Sequence, residues 1–261
     1  HRDAMEDTAC VQWLGGDRGV VGLFDGHGGD SVARAAAELT PLFVDMHLRR
    51  LPGGAGPALV RAALMNVFDR EDVLSISASP AESCLQEALI DLDWREAMVV
   101  GCTAVVALFD GPRLYIANLG DSRAILVRPD GSAQRLSCDQ KPDDPWEAAD
   151  IAARGGTVSP AGRHDVSRVD GYALSRALGD ELAHVGHRPQ VTHLRLDAAR
   201  GGVLLLVTDG VTDVLHDDPI GEHVANLRAT GALASHAAGN IVRAAFNRGS
   251  YDNISAAVVY L

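Results

Sequence analysis

Strand patterns and helix patterns lie in separate runs along this chain, and this grouping restricts its fold more than any other feature of the sequence. β-type runs at 9–14 and 19–24 come first, and apolar residues at helical spacing follow at 31–50, 57–74 and 80–97. A parallel sheet would need strands and helices that alternate one by one. We therefore expect an α+β fold: a four-layer α/β/β/α sandwich of two mostly antiparallel sheets flanked by helix pairs.

The rest of the chain returns to strands joined by tight turns. The predicted elements are strands at 103–109, 113–118, 124–128 and 133–137, a helix at 145–154, strands at 190–196 and 202–208, helices at 219–229 and 232–248, and a strand at 253–261. The first four of these strands should form one β-meander, because Asp-Gly turns punctuate them. Pro41 should kink or break the helix at 31–50. No repeat or linker divides the chain, so we expect one domain over residues 1–261.

Composition argues against several classes of function. The 261 residues carry a formal net charge of −12, whereas phosphate binding by a nucleic-acid-binding protein needs concentrated Lys and Arg. No apolar run reaches the roughly 18 residues of a membrane span. We expect a monomeric protein of the cytoplasm, with the nucleus as a second location, that binds neither nucleic acid nor membrane.

Seven acidic residues stand where a β-type run meets a turn. They are Glu6, Asp7, Asp25, Asp121, Asp209, Asp213 and Asp252. The segment 25–29, Asp-Gly-His-Gly-Gly, is the most informative, since a carboxylate beside glycines can approach a cation closely and the next carbonyl is unhindered. Oxygen-only ligands suit Mg²⁺ or Mn²⁺ rather than Zn²⁺. Convergence of these side chains would therefore make a divalent-cation site.

An isolated Asp in a turn is more often a turn former than a ligand. We interpret Asp110-Gly111 and Asp130-Gly131 in that way. Taken alone, Asp121 would fit a hairpin turn as well as a metal site. The order of the whole set along the chain therefore has to decide.

Seven short segments, in their order, resemble a known family. They are 2–7 (RDAMED), 24–29 (FDGHGG), 101–104 (GCTA), 118–123 (NLGDSR), 174–180 (LSRALGD), 208–210 (TDG) with Asp213, and 252–253 (DN). They are similar to the metal-dependent protein serine/threonine phosphatases of the type 2C class (PPM), and they cover the chain from residue 2 to residue 253. The resemblance implies phosphoprotein substrates and two Mg²⁺ or Mn²⁺ ions as cofactors.

The resemblance also implies a role for each metal ligand. Asp25 would bridge the two ions. Asp209 and Asp252 would complete the shell of one ion, and Glu6 with the Gly26 carbonyl would complete the shell of the other. Waters would fill the remaining positions, as is usual for these metals.

Four further residues have supporting roles by the same resemblance. Asp7 would hold metal-bound waters, and Asn253 would support the aspartate beside it. Asp121 and Asp213, with Asp209 shared, would form a third and weaker metal site.

The phosphate itself would be handled by two residues. Arg2 would grip it, because a planar guanidinium binds two phosphoryl oxygens at once. His27 would be the general acid that protonates the departing alkoxide. Arg176 and Asp180, in the segment 174–180, are expected to be structural.

Two other functions remain open at this point. One is a pseudophosphatase that binds partners without catalysis, although such proteins typically lose a metal aspartate or the phosphate-binding arginine, and both are present here. The other is a metal-dependent nuclease or small-molecule phosphatase, for which no basic groove is apparent. The family usually has a strand before the position of Arg2, so we expect the first sheet to lack that strand.

Overall fold

The computed structural model of the protein describes residues 4–69, 84–92, 97–162, 166–181 and 183–261. Arg2 lies outside these residues, as do 70–74, 80–83 and 93–96 of the predicted helices. Among the residues described, no helix is long and apolar enough to cross a membrane.

Most strands and helices fall within three residues of the predicted boundaries, but the helix predicted at 57–74 ends at Phe68 and the helix predicted from residue 80 begins at Leu85. The strands are β1 (Thr8–Gly15), β2 (Arg18–Phe24), β3 (Gly26–His27), β4 (Gly101–Cys102), β5 (Ala104–Asp110), β6 (Arg113–Leu119), β7 (Arg123–Val127), β8 (Ala133–Arg135), β9 (Val158–Ser159), β10 (Arg168–Val169), β11 (Leu178–Gly179), β12 (Gln190–Arg195), β13 (Val203–Val207) and β14 (Ala256–Tyr260). The helices are α1 (Ser31–Arg49), α2 (Pro57–Phe68), α3 (Leu85–Leu92), α4 (Pro145–Ala153), α5 (Asp209–Thr212), α6 (Asp217–Ala229) and α7 (Ala234–Asn247), and a 3₁₀ helix covers Leu196–Ala199.

Pro41 does not break α1, which runs without interruption from Ser31 to Arg49. The predicted break is therefore wrong. In the turn before the proline, the Thr40 hydroxyl donates a hydrogen bond to the Ala36 carbonyl (2.6 Å). This bond, together with burial of Pro41 and its neighbours against the core, holds the helix together where the proline lacks an N–H donor.

Two antiparallel sheets contain the longer strands, and the chain passes from one to the other at Gly120. The larger sheet has the order β1-β2-β5-β6-β12, and the smaller has the order β14-β13-β7-β8. The predicted single meander is therefore wrong at the link from β6 to β7, which lie in different sheets. Gly120 permits the crossing, because its φ is +98° and a Cβ there would lie 2.7 Å from Thr103 Cγ2.

Three apolar cores stack these elements in layers. The first lies between the larger sheet and α1, α2 and α3, and it includes Val20 and Phe24 of β2. The second lies between the two sheets, where Val21 and Leu23 of the same strand share a core with Leu206 of β13. The third lies between the smaller sheet and the helices α6 and α7. Successive side chains of a strand point to opposite faces, so β2 contributes to two cores at once. The expected fold class is confirmed.

A small sheet of order β11-β4-β3 joins three distant segments next to the predicted ligands. His27 of β3 and Gly179 of β11 both pair with Gly101 of β4. Two-residue strands have no periodicity, so the sequence pattern did not predict them. Their pairing fixes the turn at Gly26 relative to the segment that ends at Asp180.

Candidate active site

A cavity of about 230 Å³ brings together most of the predicted functional residues. It is lined by Asp25, Gly26, His27, Thr103, Asp121, Arg168, Gly171, Tyr172, Ala173, Leu174, Asp209 and Asp252. Asp25 follows β2 of the larger sheet, and Asp209 follows β13 of the smaller one. The cavity therefore lies where the two sheets meet, at the ends of their strands.

Hydrogen bonds tie Asp25 to the point where the chain changes sheets. Its N–H donates to Thr103 Oγ1 (3.3 Å), and the Thr103 N–H donates to the Asp25 carbonyl (2.9 Å). The hydroxyls of Thr103 and Ser122 are hydrogen-bonded at 2.7 Å. Ser122 directly follows Asp121, so these contacts fix the spacing between the two aspartates.

Asp209 is the first residue of the short helix α5, directly after β13. The next residue has to be a glycine, because a Cβ at Gly210 would lie 1.9 Å from the Asn253 carbonyl oxygen. This close approach places the segment carrying Asp252 against the start of α5. Two predicted ligands that are distant in sequence are thereby brought to one wall of the cavity.

Asn253 connects the same wall to the N-terminal segment. The Glu6 N–H donates to Asn253 Oδ1 (2.8 Å), and Asn253 Nδ2 donates to the Ala4 carbonyl (2.9 Å). The Asn253 N–H donates to Asp252 Oδ1 (2.8 Å). Glu6 in turn packs on Gly26, where an added Cβ would lie 2.5 Å from the Glu6 carbonyl oxygen. The structure thus gives Asn253 the contacts of a supporting residue.

Asp7 is held beside this segment by Thr208. The Thr208 hydroxyl donates to Asp7 Oδ2 (3.3 Å) and accepts a hydrogen bond from the Ser255 N–H (3.0 Å). Asp7 Oδ1 is buried and has no hydrogen-bond partner among the described residues. A buried carboxylate oxygen without a partner is rare in native proteins and indicates a cation or water contact.

Negative charge in the cavity is only partly compensated. Burial, followed by the charges of Asp209 and Asp7, raises the pKa of Asp25 well above its usual range. Burial and the charges of Asp121 and Asp213 raise the pKa of Asp209 to about 7, and burial also raises the pKa of Asp7. Raised carboxylate pKa values mean that the charged forms lack favourable partners. A divalent cation would supply one.

The described acidic side chains of the cavity are not arranged as ligands of a metal ion. Within the described ranges, no group of three or more His, Cys, Asp or Glu side chains is placed to hold a metal ion. The donor set nevertheless fits Mg²⁺ or Mn²⁺, because it consists of oxygen atoms and carries excess negative charge.

A lysine lies at the predicted third metal position. Lys141 Nζ forms an ion pair with Asp121 Oδ2, and Asp121 is almost fully buried. Burial of Lys141 would lower its pKa, but the charges of Asp121, Asp209 and Asp213 raise it instead. Burial is also the main cause of the raised pKa of Asp213. Sequence reasoning missed this lysine, although it is the only one in the chain.

Two further residues, one behind His27 and one on the cavity wall, were also missed. Asp180, expected to be structural, is fully buried and contacts His27: Nε2 of the imidazole and Oδ2 of the carboxylate are 2.6 Å apart. Arg168 lines the cavity and donates through Nη1 to the Gly171 carbonyl (2.8 Å). No periodicity marks either residue, and a contact across 153 positions has no local sequence signal. Arg2, predicted to bind phosphate, lies outside the described residues.

Arg176 has the structural contacts that were expected of it. Its guanidinium donates to both carboxylate oxygens of Glu147 (2.8 and 2.6 Å) and to the Arg188 carbonyl (2.7 Å). The Ser175 hydroxyl also donates to Glu147 (2.6 Å). These bonds fasten the segment after β10 to α4.

Two packed antiparallel sheets with an oxygen-lined acidic cavity at their joint match the class expected from the sequence, the metal-dependent phosphatases. A family comparison agrees with this class. The chain belongs to the Protein phosphatase 2C family, whose profile matches residues 2–254.

Curated relatives extend beyond the chain. It is similar to Probable protein phosphatase 2C 8 of Oryza sativa subsp. japonica, with 35% identity over 270 residues that cover 94% of the chain and 63% of the relative. It is similar to Protein phosphatase 1F of Homo sapiens, with 34% identity over 253 residues that cover 94% of the chain and 49% of the relative. The chain therefore spans less than two thirds of the length of either relative.

Solved structures share the fold. A serine-threonine phosphatase 2C from Toxoplasma gondii superposes with a TM-score of 0.79 at 22% identity, covering 99% of this chain and 91% of that one. A sex-determining protein of C. elegans gives a TM-score of 0.80 at 23% identity, with 99% and 62% covered. At these identities the likeness concerns the fold alone.

Proposed function

We propose that the chain is a protein phosphatase that hydrolyses phosphoserine and phosphothreonine monoesters with the help of two Mg²⁺ or Mn²⁺ ions. The observation that carries the proposal is the convergence of Asp25, Asp209 and Asp252 on one cavity in a member of the Protein phosphatase 2C family. Buried carboxylates that repel one another destabilise a protein, and such groups cluster at functional sites. Bound divalent cations would relieve this repulsion.

The ligands are proposed residue by residue. Asp25 would contact both ions, Asp209 and Asp252 would hold one of them, and Glu6 and the Gly26 carbonyl would hold the other. The excess charge of the cavity supports this assignment, and so does the absence of a side chain at Gly26, which leaves its carbonyl unhindered. When bound, such ions polarise a water molecule for attack on phosphorus and neutralise charge on the phosphoryl oxygens.

Asp7 is proposed to orient water molecules around this centre. Its unpartnered, buried Oδ1 supports the role. Asp121 and Asp213 are proposed as a weaker cation site that shares Asp209. Lys141 already supplies one positive charge there, which would make the affinity of that site for an added ion lower.

The phosphate group is proposed to lie between the acidic centre and the cationic side chains. Arg2 binds it through paired N–H donors, and His27, on the cavity wall, protonates the departing serine or threonine oxygen. Arg168 faces the same cavity and adds positive charge at its mouth. The substrates are phosphoproteins, and the protein acts as a monomer in the cytoplasm or nucleus without nucleic-acid or membrane partners.

A catalytically inactive pseudophosphatase that binds partners is the second candidate. One observation favours it: no three acidic or imidazole side chains of the described residues are already placed around a metal position. Against it stands the retention of Asp25, Asp209, Asp252 and Glu6.

Phosphate release from a phosphothreonine peptide and from p-nitrophenyl phosphate, with and without Mn²⁺, tests the proposal. We expect turnover only with the metal, and a loss of at least about 1,000-fold in Asp209→Asn, on the order of 4 kcal/mol in activation free energy. Calorimetric titration with Mn²⁺ distinguishes the second candidate. Absence of both metal binding and turnover would favour the pseudophosphatase and refute the metal site.

A further inference from the structure

The predicted proton donor has a carboxylate partner outside the ligand set. His27 Nε2 lies 2.6 Å from Asp180 Oδ2, and the Asp180 side chain has no exposed surface. An ionised carboxylate only accepts hydrogen bonds, so with Asp180 in that form the imidazole would be the donor, through Nε2. Asp180 Oδ1 has no hydrogen-bond partner of standard geometry among the described residues, and the Tyr172 side chain also interacts with this carboxylate.

The backbone at Asp180 is in an unusual conformation that directs the carboxylate. Its φ is +54°, and among the described residues Asp170 (φ +50°) is the only other non-glycine residue with positive φ. Such a conformation persists where the surroundings impose it and clusters at functional sites. Gly179, directly before it, has φ +78°, and a Cβ there would lie 2.2 Å from the Val100 carbonyl oxygen. The chain therefore turns tightly under β4 and points Asp180 back at His27.

Gly101 and Tyr172 pack closely against the His27–Asp180 pair. A Cβ at Gly101 would lie 2.1 Å from Asp180 Oδ2 and 2.6 Å from His27 Nε2. The ring of Tyr172 stacks at a tilt over His27, with centroids 5.3 Å apart. Burial and the charge of Asp180 raise the pKa of Tyr172 to about 12. His27 and Tyr172 line the cavity that contains the acidic ligands, and Asp180 contacts His27 without lining the cavity itself.

We propose that Asp180 is a positioning residue for His27. It holds the imidazole by Nε2 and leaves Nδ1 as the nitrogen that donates a proton to the departing serine or threonine oxygen. The inference rests on the proposed phosphatase activity and adds a residue to it. A buried aspartate that orients an imidazole and fixes its tautomer has the same role in Ser-His-Asp hydrolases.

Atoms and charge balance in this step. A water oxygen forms the new bond to phosphorus, and the bond from phosphorus to the side-chain oxygen breaks with its electron pair on that oxygen. Nδ1 gives that oxygen a proton and becomes neutral, while Nε2–H remains donated to Asp180. The water releases its proton to solvent, and His27 takes one up before the next turnover.

The test compares two substrates that differ in how much their leaving group needs a proton. An alkoxide leaves poorly without one, whereas p-nitrophenolate leaves readily. Asp180→Asn keeps the size of the side chain, and asparagine tolerates positive φ. We expect kcat for a phosphothreonine peptide to fall at least about tenfold and kcat for p-nitrophenyl phosphate to fall less than about twofold.

Asp170→Asn is the matched control. Asp170 also has positive φ and also pairs with a histidine, since its Oδ2 lies 2.9 Å from His184 Nδ1, but that pair is exposed. We expect neither substrate to be affected. Equal losses of both substrates in Asp180→Asn, or equal losses in the two variants, would mean that Asp180 only stabilises the fold, and the inference would be wrong.

A double variant tests whether Asp180 acts through His27. If it does, Asp180→Asn combined with His27→Gln should turn over the peptide no more slowly than His27→Gln alone. Additional loss in the double variant would contradict the inference.

The ring tautomer gives a readout that needs no active enzyme and no Asp180 variant. Long-range ¹H–¹⁵N spectra of the wild-type chain, with His27 assigned by its absence in His27→Gln, should show the neutral ring protonated at Nε2. A ring protonated at Nδ1 would overturn the inference. If the wild type with Mn²⁺ turns over neither substrate, the proposed function fails instead, and the spectrum still decides the Asp180 contact.

Discussion

Two buried charged regions of this molecule are built in opposite ways. At the outer end of the smaller sheet, Arg123 donates to Asp139 (2.9 Å) and to Asp217 (2.6 Å), and Arg135 pairs with the same Asp217. Burial alone would raise the pKa of Asp217, but these two arginines hold it below its usual range. In the cavity, by contrast, burial and neighbouring carboxylates raise the pKa values of Asp25 and Asp209.

The difference separates stability from function. A buried carboxylate with arginine partners is satisfied, and removal of either partner leaves a costly charge. Carboxylates that surround one another and share one lysine repel each other, and bound cations would compensate their charge. Substitutions in the two regions should therefore have opposite consequences for stability and activity.

The largest effect should come from Asp209→Asn in the cavity. We expect turnover to fall by at least about 1,000-fold, roughly 4 kcal/mol, while the metal-free protein becomes no less stable because one repelled carboxylate is gone. Phosphopeptide kinetics with Mn²⁺ and urea unfolding of the metal-free chain measure the two effects. Asp139→Asn, in the arginine network, is the matched control and should show the reverse: stability lost and turnover kept. If both variants lose stability alike, the two regions do not differ as described.

Next in size is Arg123→Met in the arginine network. The substitution keeps the apolar bulk of the side chain and leaves Asp139 and Asp217 without their shared donor. We expect the free energy of unfolding to fall by about 3 kcal/mol, measured by urea denaturation, with kcat of the folded protein unchanged. Arg18→Met removes a more exposed pair with Asp110 and should cost less than about 1 kcal/mol. Equal costs for the two variants would contradict the importance of burial.

A smaller effect should appear when pH is varied without metal. The pKa of Asp209 is raised from 3.8 to about 7 in the folded protein, so the folded state binds a proton more tightly than the unfolded chain. Its contribution to stability is therefore full below about pH 4 and is lost as pH rises through about 7. We expect the Tm of the metal-free chain to be at least about 2 °C lower at pH 7.5 than at pH 5.5. Asp209→Asn should reduce this dependence of Tm on pH, and saturating Mn²⁺ should remove it. If neither changes the dependence, groups other than Asp209 cause it.

The smallest effect should follow from Lys141→Met. Without the ammonium beside Asp121, an additional Mn²⁺ meets less repulsion, and its affinity should rise about fivefold, close to 1 kcal/mol. Calorimetric titration measures this weaker binding step. Lys141→Arg keeps the charge and should leave the affinity unchanged. Unchanged affinity in Lys141→Met would mean that the lysine and the ion do not compete.

The boundaries of strands such as β2 and β13 could be predicted from sequence because burial of both faces gives each a near-continuous apolar run. β2 and β13 have one face in each of two cores, and their apolar runs match the observed strands within two residues. The change of sheet at Gly120 could not be predicted, since periodicity reports which face is buried but not which strand lies beside it. The positive φ of Gly120 is compatible both with a hairpin turn and with a change from one sheet to the other.

Site residues could be predicted where a short sequence motif contains them. They could not be predicted where their role depends on contacts between distant parts of the chain. Asp25, Asp121 and Asp209 stand at or near strand ends, and together with Asp252 they line one cavity. Asp180 and Lys141 acquire meaning only through His27 and Asp121, which the folded chain places beside them. The roles of Arg2 and of the two metal ions stay predictions.

The single lysine gives the protein a reporter at its own site. Because Lys141 is the only lysine, an amine-specific reagent can label just one side chain, and that side chain is partly exposed while its Nζ contacts Asp121. Acylation there would abolish the positive charge without a mutation. The labelling rate of this chain, followed by mass spectrometry while Mn²⁺ is added, would therefore read the state of the acidic cavity in the unmodified wild-type protein.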